Sequence, residues 1–285
     1  MKELEFIDII KKQTESPYIG DDCAYLKDFG IVVTQDNFVE DVHFKTNWAT
    51  PFQIGYKAAV VNISDILASG ATPEYITVGL SLPDVGTSFI KELYRGIQKG
   101  AYGAQIVGGD ITRGDKILIS ITAIGKVKQN QRVASRSNAK IGYVVISSGD
   151  FGKSELGYKE LLEGRKDSEF IKYHLEPTLD FEFSEMISTK ITADYAMMDT
   201  SDGLADALFK IAKASGVKIV VPFIDGLFGF EDYKLVAVVP ESFLSNLQDY
   251  KFLGRVETFD GAYLQIDNKR YSSYNELGLY DHFKG

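Results

Sequence analysis

Three separate apolar runs of this chain close on an aspartate: IVVTQ leads into Asp36, AQIVGG into Asp110 and YAMM into Asp199. A strand that delivers a carboxylate at its carboxyl end places that charge where open α/β sheets bind ligands. Two further acidic points, Asp21-Asp22 after Gly20 and Asp65 in VVNISD, stand at similar junctions between apolar segments and small-residue turns. Close carboxylates repel and raise one another's pKa, and hard divalent cations with oxygen ligands relieve that repulsion. If the five places converge, the pattern predicts a Mg²⁺ cage of the kind that holds a polyphosphate.

Composition narrows the setting. With 285 residues, 45% of them hydrophobic, the chain can bury a full core as one large domain or two of ordinary size. Forty acidic against 31 basic side chains leave a net charge of -9 with no basic cluster, which argues against nucleic acid as a partner. The single cysteine, Cys23, excludes an intrachain disulfide and fits a reducing compartment. The opening MKELEFIDIIKKQ has helical apolar spacing but no signal-peptide core, and no stretch is long and apolar enough to span a membrane. A cytoplasmic location without membrane contact is expected.

Periodicity predicts an α/β (α+β) chain with a partly antiparallel sheet. A small, apolar helix is expected from about Gln53 to Ser69, and a striped helix through SFIKELYRGIQKG, closed by Gly100 and Gly103. Strands are read in IVVTQDNFVEDVHF, EYITVGLSLP, AQIVGGD and KILISITAIGKV. The polar stretch KQNQRVASRSNAKIG precedes a fresh strand, YVVISSG, and places a domain boundary there, giving residues 1–137 and 138–285. SDGLADALFKIAKASG reads as an amphipathic helix closed by Gly216.

Several motifs admit two readings. GDFGKS imitates a phosphate loop, but that motif needs glycine where this chain has Ser147, so a tight strand-to-helix turn is the simpler reading. Nucleotide phosphates would then rest on metal and turn amides. In MMDTSDGL, Ser201 or Asp202 could cap the following helix, a role that does not require Asp199 three residues earlier. In GGDITRG, Asp110 is either a turn residue or a ligand beside glycines that let a substrate approach the backbone. Asp65 lies in a small, apolar helical stretch, where an unpaired carboxylate would cost several kcal/mol, so a cation or donor partner is expected. Asp21 and Asp22 should point apart, leaving one for metal. His43 in VEDVHF is a surface or core-edge residue or a catalyst, and Arg136 a solvated charge or a phosphate clamp.

Together these segments resemble one family. IGDDCA, TQDNFVEDVHF, GYKAAVVNISDILASGATP, LSLPD, GGDITRG, ASRSNAKIG, DTSDGL, FEDYKL and YDHF stand in the order found in bacterial thiamine-monophosphate kinases and cover nearly the whole chain. The resemblance implies the two-domain fold of aminoimidazole-ribonucleotide synthetase, with an N-terminal domain that dimerises through its sheet. It implies transfer of phosphate from ATP to thiamine monophosphate. It implies Mg²⁺ ligation at Asp22, Thr34, Gln35, Asp36, Asp65, Asp110, Asp199 and Asp202, nucleotide contacts at Gly109, Asp110, Arg136 and Ser201, and substrate contacts at His43, Glu231 and Tyr280. Three departures stand out: Gln35 replaces a threonine, Phe230 replaces a glycine before Glu231, and HLEPTLDFE lacks an arginine usual after that element. A phosphate monoester, with a second pKa of about 6, is already largely ionised at neutral pH and needs no general base. The alternatives are another ATP-dependent synthetase of the same superfamily and a non-catalytic metal- or nucleotide-binding relative.

Overall fold

In the computed structural model, which describes residues 2–247 and 249–279, the acidic segments are shared between two sheets. The first half of the chain runs α1 (Lys2–Thr14), β1 (Ala24–Leu26), β2 (Ile31–Val39), α2 (Pro51–Ala68), β3 (Thr72–Leu82), α3 (Thr87–Gly100), β4 (Gln105–Arg113) and β5 (Leu118–Lys126). Its sheet has the order β1-β2-β5-β3-β4; β3 and β4 are parallel and joined by α3, while the other pairs are antiparallel. Period-two burial decides which face each side chain takes. Val32, Thr34 and Phe38 of β2 turn inward with Asp36 between them, while Gln35 and Asn37 face out.

Helix α2 lies under this sheet and against α3. Pro51 at the first turn and a reciprocal Thr50–Gln53 capping box fix its start. The two helices approach closely through glycines: a Cβ on Gly55 would stand 2.1 Å from the Leu93 carbonyl oxygen, and one on Gly96 1.9 Å from that of Phe52.

The second half runs β6 (Tyr143–Ser147), α4 (Lys153–Leu162), α5 (Glu169–Leu175), α6 (Phe181–Lys190), β7 (Ala196–Asp199), α7 (Leu204–Ser215), β8 (Val217–Val221), β9 (Leu235–Pro240), β10 (Lys251–Thr258), β11 (Leu264–Ile266) and β12 (Lys269–Tyr271). These strands form a mixed sheet ordered β12-β11-β8-β10-β6-β9-β7. The boundary expected at 137/138 falls in the 3-10 turn Arg136–Asn138, between the two sheets. The halves nevertheless share a core: Ile63, Val32 and Ile121 belong to one apolar cluster with Ile146, Phe183, Ile187 and Leu235. A second cluster packs α7, through Leu208 and Ile211, against Val236 and Leu264 of the larger sheet. Among the described residues no helix is long and apolar enough to cross a membrane.

Two local expectations need correction. Asp36 and Asp110 sit in the middle of β2 and β4 rather than at their carboxyl ends; of the three aspartates only Asp199 ends its strand. The strand expected through VEDVHF stops at Val39, where Asp41, with φ of 64°, turns the chain and leaves His43 in the turn.

Candidate active site

Helix α2 builds the floor of an acidic cluster. Asp65 presents its carboxylate toward β2 and accepts a 2.6 Å hydrogen bond from Thr34 Oγ1. One turn earlier, Asn62 accepts the backbone N–H of Asp36 at 3.0 Å, which ties β2 to the helix at that residue. Ser64 donates to the Asp199 carboxylate at 2.6 Å, so α2 also holds the end of β7 from the other sheet. Oxygens of Asp22, Asp65 and Asp199 all lie within 4.8 Å of one another.

Burial and mutual repulsion act on these groups together. Burial, then the charges of Asp36, Asp199 and Asp22, push Asp65 well above the usual carboxylate range. Burial raises Asp36 to about 6, with Asp202 and Asp22 adding to the rise and a hydrogen bond with Asp65 opposing it. Burial and the charge of Asp22 raise Asp199 to about 7. Arg136 offsets part of the charge through a 2.9 Å bond to Asp22, yet its buried Nε has no partner among the described residues. An all-oxygen donor set this crowded fits a hard divalent cation, with Asp22, Asp36, Asp65, Asp199 and the Thr34 hydroxyl as the groups that could hold it. Asp21 turns away, accepting from Arg136 N and Ser135 Oγ at 2.8 and 3.2 Å.

A second polar group lies further along α2. Lys57 is buried and meets Glu231 Oε2 at 2.8 Å, with His174 Nε2 at 3.5 Å. His174 hydrogen-bonds Ser154 at 2.8 Å; burial and the nearby ammonium lower its pKa to about 3, so it is neutral. Burial works to raise the pKa of Glu231, but Lys57 and His174 outweigh it and hold the group below its ordinary value. A small cavity beside this group is lined by Phe38, His43, Trp48, Ile54, Lys57 and His174. His43 stacks on Phe38 at 5.4 Å, and its Nδ1 accepts from Val39 N at 3.0 Å.

The comparisons with known proteins fall on this frame. Residues 20–127 match the family model described as AIR synthase related protein, N-terminal domain. The thiamine-monophosphate kinase of Aquifex aeolicus is 32% identical, over 94% of this chain and 95% of that protein. The chain belongs to the thiamine-monophosphate kinase family. The Bacillus subtilis thiamine-monophosphate kinase is 36% identical over 78% of this chain and 77% of its own. A solved structure described as AaThiL complexed with AMPPCP and TMP superposes with a TM-score of 0.87 at 31% identity, covering 99% of this chain and 98% of that one. The expected α/β (α+β) architecture is therefore that of the thiamine-monophosphate kinase family.

Not every expected site residue of this kinase-family chain joins the cluster. Gln35 sends its side chain to the opposite face of the sheet, where it bonds Ser120 and Thr122 at 3.3 and 3.0 Å, so only its backbone is near the site. Asp202 is half exposed and pairs with Lys210 at 3.1 Å; Gly203 stands at the N-cap of helix α7 with no side-chain cap bond, so neither Ser201 nor Asp202 caps it. Ser201 contributes its carbonyl to Glu231 N at 2.7 Å.

Asp110 is exposed on β4, paired with Gly79, Ser120 and Asn37 across the sheet, and thus on the face away from α2. Three strand spacings, roughly 14 Å, separate its strand from Asp36. Gly109 lies beside it at φ 156°, where a Cβ would stand 1.9 Å from the Val78 carbonyl oxygen. Tyr280 lies outside the described residues.

Lys57, His174 and Asp232 were not singled out by the sequence reading. Asp232 accepts from Gly152 N and Ser154 N at 2.6 and 3.1 Å, anchoring the start of α4 beside Glu231. Lys57 carried a readable signal: it interrupts GYKAAVV, an apolar helical run, much as Asp65 does.

Proposed function

We propose that this protein phosphorylates thiamine monophosphate to thiamine diphosphate with ATP, by direct in-line transfer supported by several Mg²⁺ ions. The observation that carries the reading is the convergence of Asp22, Asp65 and Asp199 to within 4.8 Å at the junction of the two sheets. The AMPPCP and TMP bound in the similar solved structure support this substrate pair of ATP and thiamine monophosphate. Mg²⁺ bound there would neutralise the carboxylates and the phosphate oxygens that must approach one another.

The residues of the chain do the positioning. Thr34 and Ser64 orient Asp65 and Asp199, and Asn62 fixes the backbone of Asp36. Arg136, with its free Nε, offers a donor to nucleotide phosphate; in this reading Ser201 lines the same approach and Gly109 meets the nucleotide across the seam between copies. Asp202, ahead of α7, is assigned to the outer metal position. His43 and Glu231 face the acceptor, with Tyr280 assigned to the same end. The acceptor phosphate is largely ionised at neutral pH, so no side chain has to remove its proton.

We also assign a homodimer formed through the exposed edge strand β4 of the N-terminal sheet. Along β4, Ile106, Val107 and Ile111 are 37%, 55% and 63% exposed, an apolar strip a second copy would cover. Gly109 and Asp110 stand on the same edge strand, Asp110 on the face opposite Ile106 and Ile111, and so at the seam between copies. The division into 1–137 and 138–285, and a cytoplasmic location, belong to the same reading.

The test is turnover of thiamine monophosphate with ATP and Mg²⁺, reading thiamine diphosphate and ADP in equal amounts. ADP released without thiamine diphosphate would point to another synthetase activity of the superfamily. Nucleotide binding without turnover would point to a non-catalytic relative.

A further inference from the structure

We propose that Lys57 is a positioning residue for the acceptor: it clamps one oxygen of Glu231 and leaves the other presented to the cationic ring system of the substrate. The proposal rests on the kinase reading and goes beyond it, because Lys57 belongs to none of the positions that reading uses. It lies eight residues before Asp65 on α2, about 12 Å along the helix, and so acts at the other end of the site.

Lys57 is 2% exposed, between Tyr56 and the apolar run Ala58, Ala59 and Val60. An ammonium there is tolerated only with partners of good geometry. Its partners come from the second half of the chain: Glu231 Oε2 at 2.8 Å and His174 Nε2 at 3.5 Å. An ammonium only donates, so Nε2 accepts and the imidazole proton sits on Nδ1, facing Ser154 Oγ at 2.8 Å. Neutral His174 completes the ring of contacts without adding charge, so Lys57 and Glu231 balance one another.

The two oxygens of Glu231 are treated differently. Lys57 and His174 both approach Oε2, at 2.8 and 3.5 Å, whereas Oε1 has no partner among the described residues. The backbone is fixed as well: Glu231 has φ of 57°, unusual for a residue with a Cβ, and its N–H donates to Ser201 O at 2.7 Å. The next residue, Asp232, is tied to the start of α4. A carboxylate held this firmly and left with one open oxygen suits a ligand that brings an amino N–H or a positive ring.

The surroundings agree with such a ligand. The small cavity beside Lys57 shares Trp48, Gln53 and Leu175 with a larger one of about 560 Å³ between the two halves of the chain. Trp48, Tyr158 and Phe230 form an aromatic series here, with ring centroids 5.8 and 5.3 Å apart. Lys45 Nζ stands 4.7 Å over the Trp48 ring, so a cationic ligand would displace it there or use the faces of Tyr158 and Phe230. Thiamine monophosphate supplies a flat aminopyrimidine and a cationic thiazolium. Without Lys57, Glu231 would take up a proton at its buried position and lose its anionic oxygen.

The experiment compares Lys57→Met, Lys57→Arg and the paired Lys57→Met/Glu231→Gln with the wild type, measuring kcat and both Michaelis constants. Lys57→Met should raise KM for thiamine monophosphate about tenfold or more, leave KM for ATP within about twofold, and lower kcat less than KM rises. Lys57→Arg should recover most of the loss, which a packing defect would not allow. A folded Lys57→Met with unchanged acceptor KM, or with both constants raised alike, overturns the proposal. If Lys57→Met does not fold, the paired variant is compared with Glu231→Gln alone: equal acceptor KM values support Lys57 acting through Glu231, and a further rise in the paired variant overturns the proposal. Wild-type protein without turnover refutes the kinase reading and this proposal with it; wild-type turnover with an unmoved acceptor KM refutes the role of Lys57 alone.

Discussion

Charge governs the behaviour of the individual side chains at the cluster. Asp36 and Asp65 are held by different partners, Asn62 at one backbone and Thr34 at the other carboxylate, so removing either charge leaves the scaffold in place. Asp36→Asn and Asp65→Asn should each lose most turnover at limiting Mg²⁺ while keeping a native circular dichroism spectrum. Near wild-type activity in either would remove that residue from the metal assignment. The raised pKa values add a dependence on pH. Asp36 and Asp199, at about 6 and 7 when folded, bind protons more tightly than unfolded carboxylates. Their contribution to stability is therefore complete below the unfolded value, near pH 4, and is lost as pH rises through 6 and 7. In EDTA, Asp199→Asn should gain Tm relative to wild type as pH climbs from about 4 to about 7, and Mg²⁺ should shrink that gain. A Tm difference that stays flat with pH in EDTA would contradict it.

At the scale of elements, α2 is the common support. It carries Lys57, Asn62, Ser64 and Asp65, so both ends of the site move if the helix moves. Its position is set by the close approach at Gly96, where a Cβ would stand 1.9 Å from the Phe52 carbonyl oxygen. Gly96→Ala should cost about 1–3 kcal/mol by overpacking, and an ångström-scale shift of α2 should lower kcat/KM by up to about 100-fold. Thermal unfolding and steady-state kinetics below Tm check the two effects; unchanged kinetics would mean that α3 yields instead. Sequence reading reached this helix within two residues, from about Gln53 to Ser69 against Pro51–Ala68, and missed its capping box. It found the carboxylates because apolar context makes an acidic residue conspicuous. Lys57 stands in the same context, but a lysine with a long stem is commonly accommodated at the surface, so its burial depends on Glu231 and His174 from the other half of the chain. The placement of Gln35 and Asp110 was beyond it: period two sends neighbours to opposite faces, and the strand order that separates β4 from β2 depends on long-range pairing.

The whole molecule raises the question of how Asp110 takes part. Within one chain it lies three strands from Asp36 and on the other face of the sheet. Strand β1 pairs with Ile31–Val33, which among the described residues leaves that edge of β2 from Thr34 onward without a strand neighbour, directly beside Asp36. In a dimer closed through the exposed strip of β4, a second copy would bring its Asp110 to that open edge. Ile111→Lys should then give a monomer by sedimentation and lower activity together with assembly. A sharper prediction uses two inactive variants. Suppose Asp110 serves the partner's cluster, and Asp36→Asn and Asp110→Asn proteins are unfolded and refolded as a mixture. One of the two sites in each mixed dimer then has both carboxylates intact. With half of all dimers mixed in a closed twofold assembly, about one quarter of wild-type activity should return. If Asp110 serves its own chain, every site in the mixture lacks one carboxylate and no activity returns. Recovery near one quarter would place the site across the seam, and its absence would confine Asp110 to its own chain or remove it from the metal assignment.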